Sequence, residues 1–278
     1  MTKKVKEKQR KNIEDKIFVL QKQVGQTPLE VLNLYKEKNN LDKKTKLAYA
    51  GRLDPMAEGK LLVLQGQKCK ERSKYLNLDK EYVFEILLNF KSDTSDVLGL
   101  AEYKENQESL SFEQINQKIK KFKGKRKMEY PVFSSKTVDG KPLFLHALEK
   151  NLKNIKIPTK DVKIYNIFLE EINFLGKEKL KKEIFRKINS IKKVEEESKK
   201  LGNDFRRDEI RKQWNELFNS ISQDNFTILK IRCVASSGTY MRVLAKEIAQ
   251  KLGFFGLAYS INRTKIGKKT FFGFKEIK

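Results

Sequence analysis

Residues 48–59 read Ala48-Tyr49-Ala50-Gly51-Arg52-Leu53-Asp54-Pro55-Met56-Ala57-Glu58-Gly59. Glycines at 51 and 59 permit tight backbone turns, and Pro55 fixes φ immediately after the acid. Asp54 is therefore expected in a rigid loop, projecting from the end of one element. That placement serves a turn or a helix cap as readily as a functional side chain carried on a loop. The apolar run that follows, Leu61-Leu62-Val63-Leu64, reads as a buried strand or the start of a helix.

Working outward, Ile17-Phe18-Val19-Leu20 is a short buried-strand candidate. In Gly25-Gln26-Thr27-Pro28, Thr27 and Pro28 suit the cap and first position of a helix, whose apolar face is Leu29, Val31, Leu32, Leu34 and Tyr35. Tyr82, Phe84, Ile86 and Leu88 alternate along a strand, and 92–99 is a polar turn. Ser111 caps a helix over 111–122. The stretch 124–145, with Pro131, Asp139-Gly140 and Pro142, reads as a hairpin or long loop. Strands are expected at 162–174 and 226–231, a helix at 241–252, and a closing short strand holding Phe271, Phe272 and Phe274. The pattern predicts an α+β fold, a mixed sheet with flanking helices.

Residues 175–222 change character. Leu180, Ile184, Ile188 and Ile191 recur at helical spacing in a dense Lys/Arg/Glu background; Gly202-Asn203-Asp204 breaks the pattern, and Ile210, Trp214, Leu217 and Ile221 resume it. Two amphipathic helices are expected here as a hairpin inserted between strands. With Trp214 taken as exposed, the hairpin reads as an RNA-gripping or partner-docking arm. It reads equally as a solvated hairpin whose apolar stripes pack on each other.

Of the 278 residues, 38% are hydrophobic, and no apolar run approaches the roughly 20 residues that cross a bilayer. The charged N-terminus lacks the apolar stretch of a secretory signal, so a cytoplasmic protein is expected. Two cysteines, Cys69 and Cys233, are too few for a disulfide framework, and one histidine leaves no His-rich metal set. His146, in a mostly apolar segment, reads as structural or RNA-contacting. The charge balance, 61 Lys+Arg against 36 Asp+Glu for a net +25, favours a polyanionic partner.

Four segments then fall in a telling order. Arg52-Leu53-Asp54-Pro55-Met56-Ala57-Glu58-Gly59 comes first, and Lys80-Glu81-Tyr82 with Ser92-Asp93-Thr94-Ser95-Asp96 and Gly99 second. Tyr130-Pro131-Val132-Phe133-Ser134-Ser135-Lys136, running on to Gly140-Lys141, is third, and Ser236-Ser237-Gly238-Thr239-Tyr240-Met241-Arg242 fourth. Together they resemble the TruB-type tRNA pseudouridine synthases and cover nearly the whole globular part. The resemblance implies the pseudouridine synthase fold, a mixed, largely antiparallel sheet with flanking helices. It implies a catalytic domain over 17–174 and 223–278, a basic tail over 1–16, the 175–222 insertion, and no C-terminal PUA module.

The implied activity is isomerisation of uridine to pseudouridine in the T loop of tRNA, at standard position 55, by a monomer without metal or other cofactor. Asp54 would be the nucleophile, acting at the sugar or the base. Arg242 would pair with it, and Tyr82 would stack on a flipped uracil. Tyr49, Arg52, Tyr240 and Ile261 would contact substrate. Tyr49 stands where the family usually has histidine, and Lys22-Gln23-Val24-Gly25 resembles its K-P-x-G with glutamine for proline. Arg52-Leu53-Asp54 is also similar to the R-L-D of the RluA and RsuA branches, which keeps a ribosomal RNA target open; segments 130–141 and 236–242 favour TruB. A non-catalytic RNA-binding or RNA-folding protein on the same scaffold is the other alternative.

Overall fold

Nine strands share one sheet in the computed structural model, which describes residues 14–106, 108–191 and 206–277. All but residues 14–16 of the expected tail, and the Gly202-Asn203-Asp204 break, lie outside the described residues. The first third of the chain forms β1 (Lys16–Lys22), α1 (Pro28–Lys38), β2 (Leu47–Ala50), β3 (Glu58–Gln65), α2 (Ser73–Leu76) and β4 (Asp79–Leu88). Next come β5 (Phe90–Ser92), β6 (Ala101–Tyr103), α3 (Phe112–Lys120), β7 (Gly124–Glu129), β8 (Thr137–Val138), β9 (Lys141–Pro142) and α4 (Leu143–Leu148). The last part is β10 (Thr159–Gly176), α5 (Lys177–Ser190), α6 (Arg207–Ser220), β11 (Asn225–Ala235), α7 (Met241–Leu252), β12 (Gly256–Thr270) and β13 (Gly273–Glu276).

The sheet runs β1-β3-β12-β4-β11-β10-β7, with β2 on β3 and β13 on β12. Every pairing is antiparallel except β3 with β12, where Glu58 and Gly59 lie parallel to Asn262 and Arg263. This is the mixed, largely antiparallel sheet expected, and the open reading of Leu61–Leu64 resolves to strand β3. Thr27 and Ser111 both close reciprocal capping boxes, with Glu30 and Gln114. Val31 and Leu32 of α1 bury against Leu61 and Val63, whereas Leu29 and Leu34, read as part of its apolar face, are exposed. A short helix covering one small cluster needs only a narrow stripe.

Several strands escaped the sequence reading, β2, β6 and β12 among them. Arg263 and the lysines of β12 broke its apolar alternation, yet β12 lies at the centre of the sheet between β3 and β4. The Gly-Lys-Arg-Lys run of β7, in the stretch read as a hairpin or long loop, forms the sheet's edge, where lysine protects unpaired backbone. Within 124–145 the expected hairpin is β8–β9, turning at Asp139-Gly140, and the short helix α4 starts at Leu143. At the chain's end only Phe274 is in a strand; Phe271 and Phe272 occupy the β12–β13 turn and are almost fully exposed.

Strands β10 and β11 stay paired up to Gly176 and Asn225, so α5 and α6 grow from the tip of that hairpin. Both helices are where the periodicity places them, but they are not a solvated arm. Leu180, Ile184 and Ile188 of α5, and Ile210, Trp214 and Phe218 of α6, belong to the main core. Trp214, read as exposed, is fully buried: its ring lies 5.4 Å from that of Phe90, and its Nε1–H donates to the Val97 carbonyl at 3.2 Å. The charged background of α6 lies on its other face, where it conceals the stripe from composition.

Three buried lysines serve as donors to backbone carbonyls: Lys22 to Gln23, Pro55 and Ala57, Lys80 to Leu76 and Leu78, and Lys187 to Tyr259. Burial pushes each ammonium down to about 8 from its ordinary 10.5. Between about pH 8 and 10 the folded chain therefore releases protons that the unfolded chain keeps, so stability rises with pH across that window. Above it, the buried tyrosines resist ionisation and the slope turns over.

Urea unfolding is expected to give a larger free energy at pH 9.5 than at pH 7.5, by roughly 1–3 kcal/mol per buried lysine. Lys187→Met should shrink that rise, and a rise that is unchanged would show that Lys187 is not the titrating group. Trp214→Ala should destabilise the fold by about 3–5 kcal/mol in the same assay, the cost of emptying a core aromatic site; a loss under about 1 kcal/mol would place the indole outside the core.

Candidate active site

The loop from Gly51 to Ala57 joins β2 to β3 and has no ladder partners for its backbone, so other groups must supply donors and acceptors. The Ala57 N–H donates to the Asp54 carbonyl at 3.0 Å, closing a turn around Pro55. Gly51 and Gly59 bracket it at φ +83° and +110°, and a side chain at Gly59 would collide with the Arg263 backbone. From inside, Lys22 caps the carbonyls of Pro55 and Ala57. On the other flank, Arg263 donates Nε–H to the Lys60 carbonyl at 2.7 Å and Nη2–H to that of Gly51 at 3.1 Å. Two buried cations thus hold a loop of irregular backbone in one shape.

Arg242 is the second residue of α7 and is 5% exposed. Its Nε–H donates to Asp54 Oδ2 at 2.8 Å, Nη1–H to the Thr94 carbonyl at 3.0 Å and Nη2–H to the Phe133 carbonyl at 3.1 Å. One planar guanidinium thereby ties together the 51–57 loop, the 92–99 turn and the 130–136 loop. Burial works against its charge, but Asp54 and Asp96 outweigh burial and push its pKa up. Asp96 Oδ2 lies 3.7 Å from Arg242 Nε, while its Oδ1 accepts from Thr94 Oγ1 at 2.7 Å and the Leu98 N–H at 2.9 Å. Burial pushes the Asp96 carboxyl up, against the pull of Arg242.

The remaining residues read from the sequence divide into three groups. Tyr82, on β4, is buried in register with Arg263 of β12; burial raises its phenol, opposed by the neighbouring Arg263 guanidinium, and it feels the Asp54 charge. Tyr240, the residue before α7, is half-buried with its ring 5.6 Å from that of Tyr130. Burial, with Tyr130 and Asp54 adding to it, pushes the Tyr240 phenol up to about 12. These two join Asp54 and Arg242 in one site. Arg52 is exposed at the rim, where Nη1–H donates to Ser135 Oγ at 3.1 Å.

Tyr49 and Ile261 are placed differently. Tyr49, on β2, packs in the small cluster beneath α1 and has the Arg72 guanidinium 5.8 Å above its ring. Ile261 is buried on β12 opposite Phe84 and lines a cavity of about 320 Å³ with Met56, Lys187 and Tyr259. Three residues of the site carried no role in the sequence reading: Lys22, Asp96 and Arg263. Asp96 stood inside the second quoted segment and Lys22 opened the quoted Lys22-Gln23-Val24-Gly25, while Arg263 interrupts a strand with a charge, which is the signal that would have found it.

What this arrangement offers chemically is a carboxylate fixed by a guanidinium and flanked by two tyrosines that burial holds protonated at neutral pH. The Asp54 side chain is 34% exposed while Arg242 is sealed, so the carboxylate alone faces outward. It can act as a nucleophile or a base toward a group that enters beside Tyr82 and Tyr240.

Comparison with known proteins bears on the fold and the family. The N-terminal domain model of the TruB family pseudouridylate synthases matches residues 38–184, a little over half the chain. The tRNA pseudouridine synthase B of Francisella tularensis subsp. tularensis (strain WY96-3418) is 28% identical over 223 residues, covering 80% of this chain and 56% of that protein. The protein of the same name from Borreliella burgdorferi (strain ZS7) is 28% identical over 259 residues, covering 92% and 71%. The chain thus spans little more than half the length of the Francisella relative. Among solved structures, the crystal structure of a Cbf5-Nop10-Gar1 complex superposes at TM-score 0.52 with 19% identity, covering 90% of this chain and 48% of that one. Fold, ordered segments and family match coincide: the chain belongs to the TruB family of pseudouridylate synthases.

Proposed function

We propose that the protein isomerises uridine to pseudouridine in the T loop of tRNA, at position 55, with Asp54 as nucleophile. The observation that carries this reading is the Asp54–Arg242 pair, a partly exposed carboxylate locked 2.8 Å from a sealed guanidinium. The family match and the names of the similar proteins, tRNA pseudouridine synthase B, support the reaction and the substrate class. The site is completed within one chain, which supports a monomeric catalyst.

Uridine in a folded loop is stacked, so it must be turned out before reaction; Tyr82 and Tyr240 offer flat, uncharged surfaces for the extruded base. Asp54 forms a transient covalent bond to the nucleoside, at the sugar or the base, and that bond breaks again to return the carboxylate as C5 is joined to C1′ or just after. The bond from N1 to C1′ breaks, the uracil turns, and a bond forms from C5 to C1′. The proton lost from C5 balances the one gained at N1, so the reaction is an isomerisation with no co-substrate. Arg242 keeps Asp54 aimed, because no other orientation preserves its bonds to Thr94 and Phe133. The net charge of +25 supports binding of the tRNA backbone.

Incubation with unmodified tRNA transcripts and total unmodified RNA, followed by pseudouridine mapping, tests the proposal. Modification is expected at the T-loop uridine, absent with Asp54→Asn although tRNA binding persists; turnover by that variant, or a product confined to ribosomal RNA, would refute it. Arg242→Lys should lower the single-turnover rate by roughly 100-fold or more, since an ammonium cannot reproduce the three-way fork.

A further inference from the structure

The helical pair α5–α6 reaches the backs of all three segments that hold the Asp54–Arg242 pair. Arg206, immediately before α6, pairs with Asp93 Oδ2 at 2.7 Å and lies over the Phe133 ring at 4.6 Å. Asp93 adjoins Thr94, so this one guanidinium grips the neighbours of both carbonyls that accept from Arg242. It does so from a left-handed backbone at φ +55°, a conformation that a residue with a Cβ adopts only where its surroundings impose it. Trp214 donates to the carbonyl of Val97, next to Asp96 on the same turn. Ser190, at the end of α5, lies so close to Gly25 that a Cβ there would sit 2.5 Å from the Ser190 carbonyl. Gly25 in turn donates its N–H to Pro55 at 2.9 Å, one residue beyond Asp54.

We propose that α5–α6 is a brace for the Asp54–Arg242 pair, with Arg206 and Trp214 as positioning residues. The inference rests on the isomerase reading of that site. A grip on RNA phosphate accounts for less: the Arg206 charge is already spent on Asp93, and its side chain is only 18% exposed. Its stacking holds the side chain of Phe133, whose carbonyl Arg242 uses, and the indole N–H holds Val97, three residues beyond Thr94 on the same turn. Loss of the brace should let the Thr94 and Phe133 carbonyls drift, loosening the guanidinium and with it the carboxylate.

Two readouts on the full chain test this. In single turnover on an unmodified tRNA transcript, Arg206→Ala should slow pseudouridine formation roughly 10- to 100-fold, the cost of a small misplacement, with tRNA Kd within about twofold. Arg206→Lys, which keeps a charge for Asp93, should recover part of that rate. By NMR on arginine-labelled protein without RNA, hydrogen exchange at the Arg242 Nε–H should quicken about tenfold in Arg206→Ala and in Trp214→Phe, which keeps an aromatic ring. An unchanged exchange rate in both variants would overturn the brace. Weakened tRNA binding with an unchanged single-turnover rate would also overturn it and make the helices an RNA grip. Absence of pseudouridine in the wild-type product would instead defeat the isomerase reading, and the exchange measurement would still decide the brace.

Discussion

A single guanidinium organises this molecule's site. Arg242 is buried, and a buried cation is tolerated only when its charge and all its useful donors are engaged. Its partners come from three separate stretches of chain: a carboxylate at 54, a carbonyl at 94 and another at 133. None of those stretches is regular secondary structure, so the guanidinium supplies the order that a ladder would otherwise give. The same bonds that make the charge affordable also leave Asp54 one orientation, which connects the stability of the fold to the chemistry of the site.

Around this pair the chain repeats one device. Lys22, Lys80, Lys187 and Arg263 are all buried, and each points its donors at main-chain oxygens. In a protein so rich in basic residues, cations are the donors at hand for carbonyls that loops and strand ends leave open. Lys22 and Arg263 apply it on opposite flanks of the 51–57 loop, and the loop's two positive-φ glycines allow the backbone to come close enough. The long stems of these side chains also fill apolar space, so they pack as well as bind.

The sequence was most legible where local chemistry decides the outcome. Thr27 and Ser111 announce their helices because capping is settled within four residues. The α7 helix is found at its expected bounds, and Asp54, Tyr82, Tyr240 and Arg242, read from ordered segments, converge in space. Legibility failed where burial depends on a distant partner. Trp214 sits in a charged helix, and only the position of Phe90 and Val97 shows which face is inward. Arg263 and Lys22 carry charges that read as solvent-facing until the carbonyls they cap are located. Strand β12 was hidden for the same reason, since a central strand bearing arginine and lysine violates the alternation that betrays β4. Tyr49, read as a substrate contact, has its neighbours in the cluster beneath α1.

The place of β12 in the sheet has a consequence for biosynthesis. It is made long after β3 and β4, between which it lies; they are finished about 190 and about 170 residues before it begins. Until residues 256–270 leave the ribosome, β4 lacks the neighbour that pairs with it from Asp79 to Leu88, and the parallel contact that anchors Gly59 has no partner. The loop bearing Asp54, which Arg263 of β12 holds by its Gly51 and Lys60 carbonyls, therefore takes its final shape only after that late strand has been made.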